Sequence, residues 1–271
     1  VDFINGNVAQ VMLDGQVVLD PLGLHGEVLA LQMSFCLAPL EWIRALEIVA
    51  DRLNLNLMAI VPDHVICASP IPDNEALLVA LYEHRTLIGL ARRGKLAWCQ
   101  PVDLGEREMA LGIVQAVNGA FGDSRARQAD ALMRAYRAGR LRPDVETELV
   151  RAFWLALRNW MTAMATQYRY ARHDEGAPHH VYFWDMTRRL PEAASSLETP
   201  FWEHTLKFGR CPEVITLRVS MIPNVLDRTT QASGMAYLVL RGLARYVAGL
   251  FGPGNSLDRV LAGVIATSGQ G

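Results

Sequence analysis

The residues best suited to chemistry lie at a charged corner between two apolar runs. Leu77–Leu81 and Leu87–Ala91 flank the tetrapeptide 82–85, whose sequence is YEHR, and Thr86 follows it. A carboxylate, an imidazole and a guanidinium in succession could perform acid–base catalysis. A tight corner normally takes Gly, Asn or Asp, because these residues tolerate positive φ. Since a charged hairpin tip is usually a solvated turn, we predict no catalytic residue here.

A second polar cluster follows the helical region that ends near residue 172. Its members offer nitrogen and oxygen atoms that bind metals, and they are His173, Asp174, Glu175, His179 and His180. They show none of the fixed ligand spacings of known metal motifs. A polar loop between a helix and a strand explains the same residues, so we predict no metal site.

Composition limits the class of protein. The chain has 271 residues, of which 51% are hydrophobic and 20% charged, so it can bury a core in one or two domains. Its net charge of −2 gives no reason to expect a nucleic-acid partner.

The four cysteines have no short paired spacing and indicate reduced thiols. Lacking an apolar run of membrane-spanning length, the sequence predicts a cytoplasmic protein, with any membrane contact indirect and at the inner face.

Hydrophobic periodicity predicts the elements that position these residues. A small α+β unit at 1–66 contains a hairpin around Asp14-Gly15, a second strand, a helix over Pro39–Leu53 and a strand over Leu55–Val61. Three strands follow over 77–102, then a short helix and a helical region at 123–172. A helix of about 30 residues starts at Pro143, which makes it roughly 45 Å long. Strands at 179–185 and 213–220 alternate with helical segments at 190–208 and 231–251.

Several motifs in this order have counterparts in one family. The segment from Asp14-Gly15 to Gly26 has a D-G turn, a Pro two residues before Gly-Leu, and a further Gly. Downstream, Arg93-Gly94-Lys95-Leu96 forms a G-K-L turn, and Leu104-Gly105 ends a strand. This pattern resembles FtsA, the actin-like cell-division protein of bacteria, in which a subdomain of the first type is inserted.

The resemblance implies an α/β fold: an actin-like (ribonuclease-H-like) subdomain with a helical cap, plus a small α+β inserted-type subdomain. The implied division is 1–66 for the small subdomain, 67–252 for the actin-like half with its cap at 123–172, and 253–271 for a flexible tail. The first actin-like half-domain of the family has no counterpart in this sequence. We therefore expect a chain that lacks this half or has been trimmed.

Two nucleotide motifs of the family are altered. The family's phosphate hairpin reads roughly D-I-G-G-G-T-T-D, and its glycines let backbone N–H groups approach phosphate. Here Tyr82, Glu83 and His84 replace the glycines, while Ala80 and Leu87 stand at the aspartate positions and offer no metal ligand.

The family's adenosine motif, G-G-G-A-x-L-P-G, is altered in the same way. Asp185, Met186 and Thr187 replace its glycines, whereas the Leu-Pro pair is kept. Two losses in the proper order predict that the protein is a pseudo-ATPase without a cofactor.

A protein partner is then the expected route to function. Interface-prone residues lie in the helical region, at Arg140, Arg142, Arg151, Trp154 and Arg158. The resemblance implies the tubulin-like ring protein FtsZ, or another copy of the chain, as the partner. We expect a non-catalytic FtsA-like scaffold or adaptor in bacterial cell division or envelope assembly. Two alternatives stay open: a nucleotide-binding actin-like ATPase, and an actin-like adaptor of the pilus-assembly type.

Overall fold

The computed structural model describes residues 1–18, 21, 23–118, 125–172, 176–187, 190, 192–222, 225 and 235–251. The strands are β1 (Asp2–Leu13), β2 (Gln16–Val18), β3 (Leu29–Ala38), β4 (Ala76–Leu81), β5 (Thr86–Arg92), β6 (Lys95–Val102), β7 (His180–Asp185) and β8 (Glu213–Thr216). The helices are α1 (Leu40–Arg52), α2 (Asp63–Ala68), α3 (Glu106–Asn118), α4 (Arg125–Arg137), α5 (Pro143–Arg172), α6 (Glu192–Ser196), α7 (Pro200–Leu206) and α8 (Met235–Phe251). A short 3-10 turn covers Val219–Met221.

The first sheet has three strands in the order β2-β1-β3, and all its pairings are antiparallel. The predicted hairpin closes at Asp14 and Gly15, whose φ angles of 50° and 80° match a two-residue turn of the type that glycine favours. Asp14 also accepts hydrogen bonds from the backbone N–H groups of Glu27 and Val28 at 2.9 and 2.8 Å. The D-G turn is therefore tied to the loop that leads into β3.

The second sheet has five strands in the order β6-β5-β4-β7-β8. β4 is parallel to β7, and β7 is parallel to β8. Every residue of β4 is buried, as is usual for a parallel strand with both faces covered. The chain turns from β5 to β6 at Arg93 and Gly94, which both have positive φ. The strands predicted at 77–102 and 179–185 are confirmed.

The predicted 30-residue helix is confirmed as α5. One face of it is buried, through Leu149, Phe153, Leu157, Trp160, Met161, Met164 and Tyr168. Trp154, which the pattern assigned to the edge of this face, is 44% exposed. The side chain of Val145 lies outside the described residues.

The segment predicted as a strand over Leu55–Val61 belongs to neither sheet, so that prediction is wrong. Six of its seven residues are apolar, but a strand forms only where a neighbouring strand can accept its hydrogen bonds. In place of the single helical stretch at 190–208, the structure has two short helices, α6 and α7, separated by residues 197–199. The strand predicted at 213–220 ends at Thr216.

The described chain forms two compact units, neither of them continuous in sequence. Within the described ranges, one contains residues 1–75, 90–98 and 218–251, and the other 76–89 and 99–217. The sequence-based division at 66/67 followed the chain, whereas these units follow spatial proximity. The tail predicted at 253–271 lies outside the described residues.

Arg92, at the end of β5, forms hydrogen bonds with three polar side chains of the first unit. Its guanidinium donates to Glu75 Oε1 at 2.7 and 3.0 Å and to Gln32 Oε1 at 2.9 Å, and it also bonds Gln10 Oε1. Gln10 and Gln32 are directly paired across β1 and β3. One half-buried arginine therefore links both strands to the end of β5.

The helix α1 forms where its 3.6-residue period predicts it, yet among its described residues only Ala50 is buried. Trp42, Ile48 and Val49 are each more than half exposed.

No helix in the described ranges is both long enough and apolar enough to span a bilayer.

Candidate functional site

The two motifs identified in the sequence meet at one edge of the five-stranded sheet. Leu81 and Asp185, the last residues of β4 and β7, are paired in the parallel register. The backbone N–H of Met186 donates to the carbonyl of Leu81 at 3.0 Å. In open α/β sheets, ligands bind outside the carboxyl ends of parallel strands, so this edge is the candidate functional site.

The corner at 82–85 is a tight turn without glycine. Tyr82 N donates to Arg85 O at 2.9 Å, and no residue from 82 to 85 has positive φ. Because its backbone stays in ordinary regions, bulky and charged residues are tolerated. The side chains of Glu83, His84 and Arg85 are exposed.

The backbone of the corner is bonded to the start of α3. Glu106 N donates to Tyr82 O at 3.0 Å, and Arg107 N donates to Glu83 O at 2.8 Å. The preceding N–H, that of Gly105, donates to Glu108 Oε2 at 3.1 Å. Free N–H groups at a helix start are what bind anions. Here three consecutive N–H groups, at 105–107, already have protein acceptors.

Gly105 permits this close packing. A Cβ atom added to Gly105 would collide with Arg85 N and Glu83 O and lie 2.5 Å from the carbonyl carbon of His84. All three are backbone atoms, which cannot rotate away as a side chain can. The corner is therefore packed against the strand-to-helix turn at Leu104-Gly105.

Charged side chains surround the corner. His84 Nδ1 lies 3.0 Å from Glu108 Oε1, and Glu83 Oε1 lies 4.0 Å from Arg107. Burial by itself raises the pKa of Glu108, but hydrogen bonds from His84 and from backbone N–H groups outweigh it and hold the pKa below its ordinary value. These pairs are largely solvated, and such contacts contribute little to stability.

Thr86 is buried and fixes the strand that leaves the corner. Its Oγ1 donates to Leu104 O at 2.7 Å and accepts from Trp160 Nε1 at 2.7 Å. In the sequence this residue follows the charged residues that could perform acid–base catalysis. Its hydrogen bond to Trp160 joins residues that are far apart in the chain, so the sequence does not predict it. Thr86 has no exposed surface, so its role is structural.

The two positions expected to lack metal ligands are apolar and buried. Ala80 is fully buried in β4, and Leu87 is 8% exposed in β5. Neither side chain offers an oxygen or nitrogen atom to a metal or to an attacking water.

The second motif forms a turn closed by its own aspartate. Asp185 Oδ1 accepts from the N–H and from the Oγ1 of Thr187, both at 2.9 Å. Asp185 is 8% exposed, and Met186 is 36% exposed. The three positions at which the resemblance implies glycine therefore carry side chains. The retained Leu190 is buried, whereas Pro191 lies outside the described residues.

The predicted interface residues lie after α4 and along α5. Arg140 is exposed just after α4, and Arg142 lies 3.2 Å from Asp144. On α5, Arg151 is exposed, and the guanidinium of Arg158 stacks on Phe201 with its carbon 4.8 Å from the ring centre. Arg158 is therefore engaged within the chain.

A separate polar cluster lies at the other end of β7. His179, His180 and Glu213 can each offer one ligand atom, and these atoms lie within 4.8 Å of one another. Desolvation lowers the pKa of His179, as do the nearby charges of Arg210 and His180, while Glu213 opposes them. The sequence did not reveal Glu213 as a member, because it is distant from His180 along the chain and meets it only when β7 pairs with β8. His173, Asp174 and Glu175 lie outside the described residues.

No protein-family model matches the chain, and no curated protein matches it. Among solved structures it is similar to a chain of the PilM-PilN type IV pilus biogenesis complex, with 13% identity, 82% of this chain and 62% of that chain covered, and a TM-score of 0.51. The ethanolamine utilization protein EutJ from Carboxydothermus hydrogenoformans has 17% identity, coverages of 64% and 54%, and a TM-score of 0.41. Component A of the Acidaminococcus fermentans (R)-2-hydroxyglutaryl-CoA dehydratase has 9% identity, coverages of 80% and 88%, and a TM-score of 0.36.

The chain spans 54% of the EutJ chain and 62% of the pilus-complex chain. At these identities a likeness shows the fold alone, and only the pilus-complex chain has a TM-score high enough to support it. Together with the mixed sheet and its parallel β4-β7-β8 core, this likeness shows that the protein has an actin-like α/β fold.

Proposed function

We propose that this protein is a non-catalytic actin-like scaffold or adaptor that works through protein–protein contact. The observation behind this proposal is the use of three consecutive N–H groups, at 105–107, by Glu108, Tyr82 and Glu83. An actin-like nucleotide site needs free N–H groups beside this hairpin, because they hold the phosphates.

Charge and ligand chemistry support the same proposal. Glu83 places a carboxylate at the corner where phosphate would lie, which adds repulsion. Ala80 and Leu87 cannot hold the metal ion that would offset phosphate charge, and Asp185 Oδ1 is bonded to Thr187. The pseudo-ATPase proposal therefore rests on both motifs.

The kind of partner is proposed from two sources. The sequence motifs resemble FtsA and favour a division or envelope assembly, with FtsZ or a second copy of the chain as the partner. The structurally similar pilus chain was solved in a complex named PilM-PilN, which supports the alternative of a pilus-type adaptor. In both cases we place the protein in the cytoplasm, and contact with a membrane is made through the partner.

Thermal melts test the pseudo-ATPase proposal. A ligand at 100 times its dissociation constant stabilises a fold by about 2.7 kcal/mol, which for a chain of this size raises the melting temperature by roughly 5–10 °C. We expect melts with Mg-ATP, Mg-GTP and Mg²⁺ alone, at millimolar concentrations, to superimpose. A reproducible rise with Mg-ATP that grows in the Glu83→Lys variant, which replaces a repelling carboxylate with a cation, would instead establish a nucleotide site at this corner.

Charge reversal tests the proposed contact surface. The double variant Arg140→Glu with Arg142→Glu should weaken capture of purified FtsZ, or self-association, by about five-fold, because each exposed pair contributes under about 1 kcal/mol. Its melting temperature should stay within error of the parent, since both side chains are exposed. Arg52→Glu, an exposed arginine on α1, is the control. Equal capture by both variants would move the contact surface elsewhere.

A further inference from the structure

The cluster at the start of β7 is held together by the sheet itself. His180 and Glu213 are the first paired residues of the parallel strands β7 and β8. Glu213 N donates to His179 O at 3.0 Å, so the backbone brings all three residues to one place. The cluster lies at the opposite end of β7 from Asp185, about 17 Å away at the usual rise per residue. It is therefore separate from the candidate functional site.

The three side chains form a donor set that zinc prefers. Two imidazole nitrogens and one carboxylate oxygen are the protein ligands of open zinc sites, in which water takes the fourth position. With metal–ligand bonds of about 2.0–2.1 Å, tetrahedral ligands lie about 3.4 Å apart. His180 Nε2 and Glu213 Oε2 are 3.7 Å apart, and all three ligand atoms lie within 4.8 Å. Glu213 is the exposed member of the three, so a small rotation of its side chain closes the difference.

One atom of the cluster lacks a partner. Nδ1 of His179 is shielded from water and makes no hydrogen bond within the described part of the chain. A buried polar atom without a partner is uncommon and calls for an explanation such as a bound ion. A metal bound at Nδ1 would supply that interaction directly.

The donor atoms select the kind of metal. Mg²⁺ and Ca²⁺ need several oxygen ligands and a strongly negative site. Imidazole-rich sites favour Zn²⁺ and similar transition metals, for which ligand softness matters more.

We propose that His179, His180 and Glu213 bind one Zn²⁺ ion with three protein ligands and one open position. This differs from the expectation drawn from sequence, in which the histidines formed a polar loop without a metal. The added ligand, Glu213, joins them through the pairing of β7 with β8. The bound ion bridges the two strands at their amino-terminal ends.

Calorimetric titration of the untagged full chain with Zn²⁺ tests the proposal. One ion per chain should bind with a micromolar or lower dissociation constant, and Mg²⁺ should not compete. His180→Ala and Glu213→Gln should each weaken binding about ten-fold or more, because even residues that only orient metal ligands cost 10–100-fold when changed. Glu213→Gln keeps the side-chain volume, so loss of binding there does not come from misfolding.

His25→Ala is the matched control, because His25 is an exposed histidine of the other unit. It should bind Zn²⁺ as the parent does. Co²⁺ in place of Zn²⁺ should give the visible absorption of a tetrahedral site in the parent and lose it in His179→Ala. The proposal is overturned if the parent binds no Zn²⁺, or if His180→Ala and Glu213→Gln bind it as tightly as the parent.

Discussion

Gly105→Ala is expected to lower the free energy of unfolding by about 3 kcal/mol, at the upper end of the cost of overpacking. The added methyl group would collide with Arg85 N and Glu83 O, and backbone atoms cannot rotate away from it. To relieve the collision, the corner at 82–85 must separate from α3 and lose the bonds from Glu106 N and Arg107 N. Urea unfolding followed by circular dichroism measures the change.

Gly112→Ala, within α3 itself, is the matched control. A Cβ atom at Gly112 meets nothing within 4 Å, so alanine should stabilise the protein by about 0.5–1 kcal/mol through its higher helix propensity. If Gly105→Ala proves as stable as the parent, the corner is not packed against the start of α3. The N–H groups at 105–107 would then be available, and the main support for the pseudo-ATPase proposal would be lost.

Trp160→Ala should cost about 3–5 kcal/mol of unfolding free energy, the usual range for truncating a large buried aromatic. Trp160 has no exposed surface, and its Nε1 donates to Thr86 Oγ1 at 2.7 Å. The truncation removes both the packing and the hydrogen bond. Trp160→Phe keeps most of the packing and loses the donor, so about 1–2 kcal/mol is expected for that variant.

Trp154→Ala provides the comparison on the same helix. Trp154 is 44% exposed, so its truncation should cost no more than about 1 kcal/mol. The difference between the two tryptophans tests which face of α5 is buried. Equal costs at both positions would mean that the helix is rotated from the arrangement described above.

Local signals in the sequence predicted much of the fold. The D-G turn at Asp14-Gly15 needs only positive φ, and α5 needs only a sustained 3.6-residue period, so both were predicted correctly. Leu55–Val61 failed because strand formation depends on a distant partner that local pattern does not reveal. The helix at Asp63–Ala68 was missed because six residues give too little periodicity to recognise.

The sequence pointed to the residues of the candidate site but not to the contacts between them. Motif order identified the corner at 82–85 and the turn at Asp185, and the parallel pairing of β4 with β7 then places them side by side. In the sequence, Gly105 stood out only as the second residue of the Leu104-Gly105 pair. Its contact with the corner could not be predicted, because the two are about twenty residues apart in the chain. Glu213 was missed for a similar reason, because its link to His180 exists only once β7 and β8 pair.

Arg92, at the end of β5, affects how easily the strands of the first sheet separate. Arg92 bonds Glu75 and both members of the Gln10–Gln32 pair, so separating β1 from β3 also removes partners from a half-buried charge. Removing partners from a buried charge costs more than its pairing contributes, because the charge is then poorly solvated. Fraying of the three-stranded sheet is thereby coupled to the end of β5. A three-stranded sheet, one strand of which has only three residues, is thus expected to lose its order together with the end of β5 and not before it.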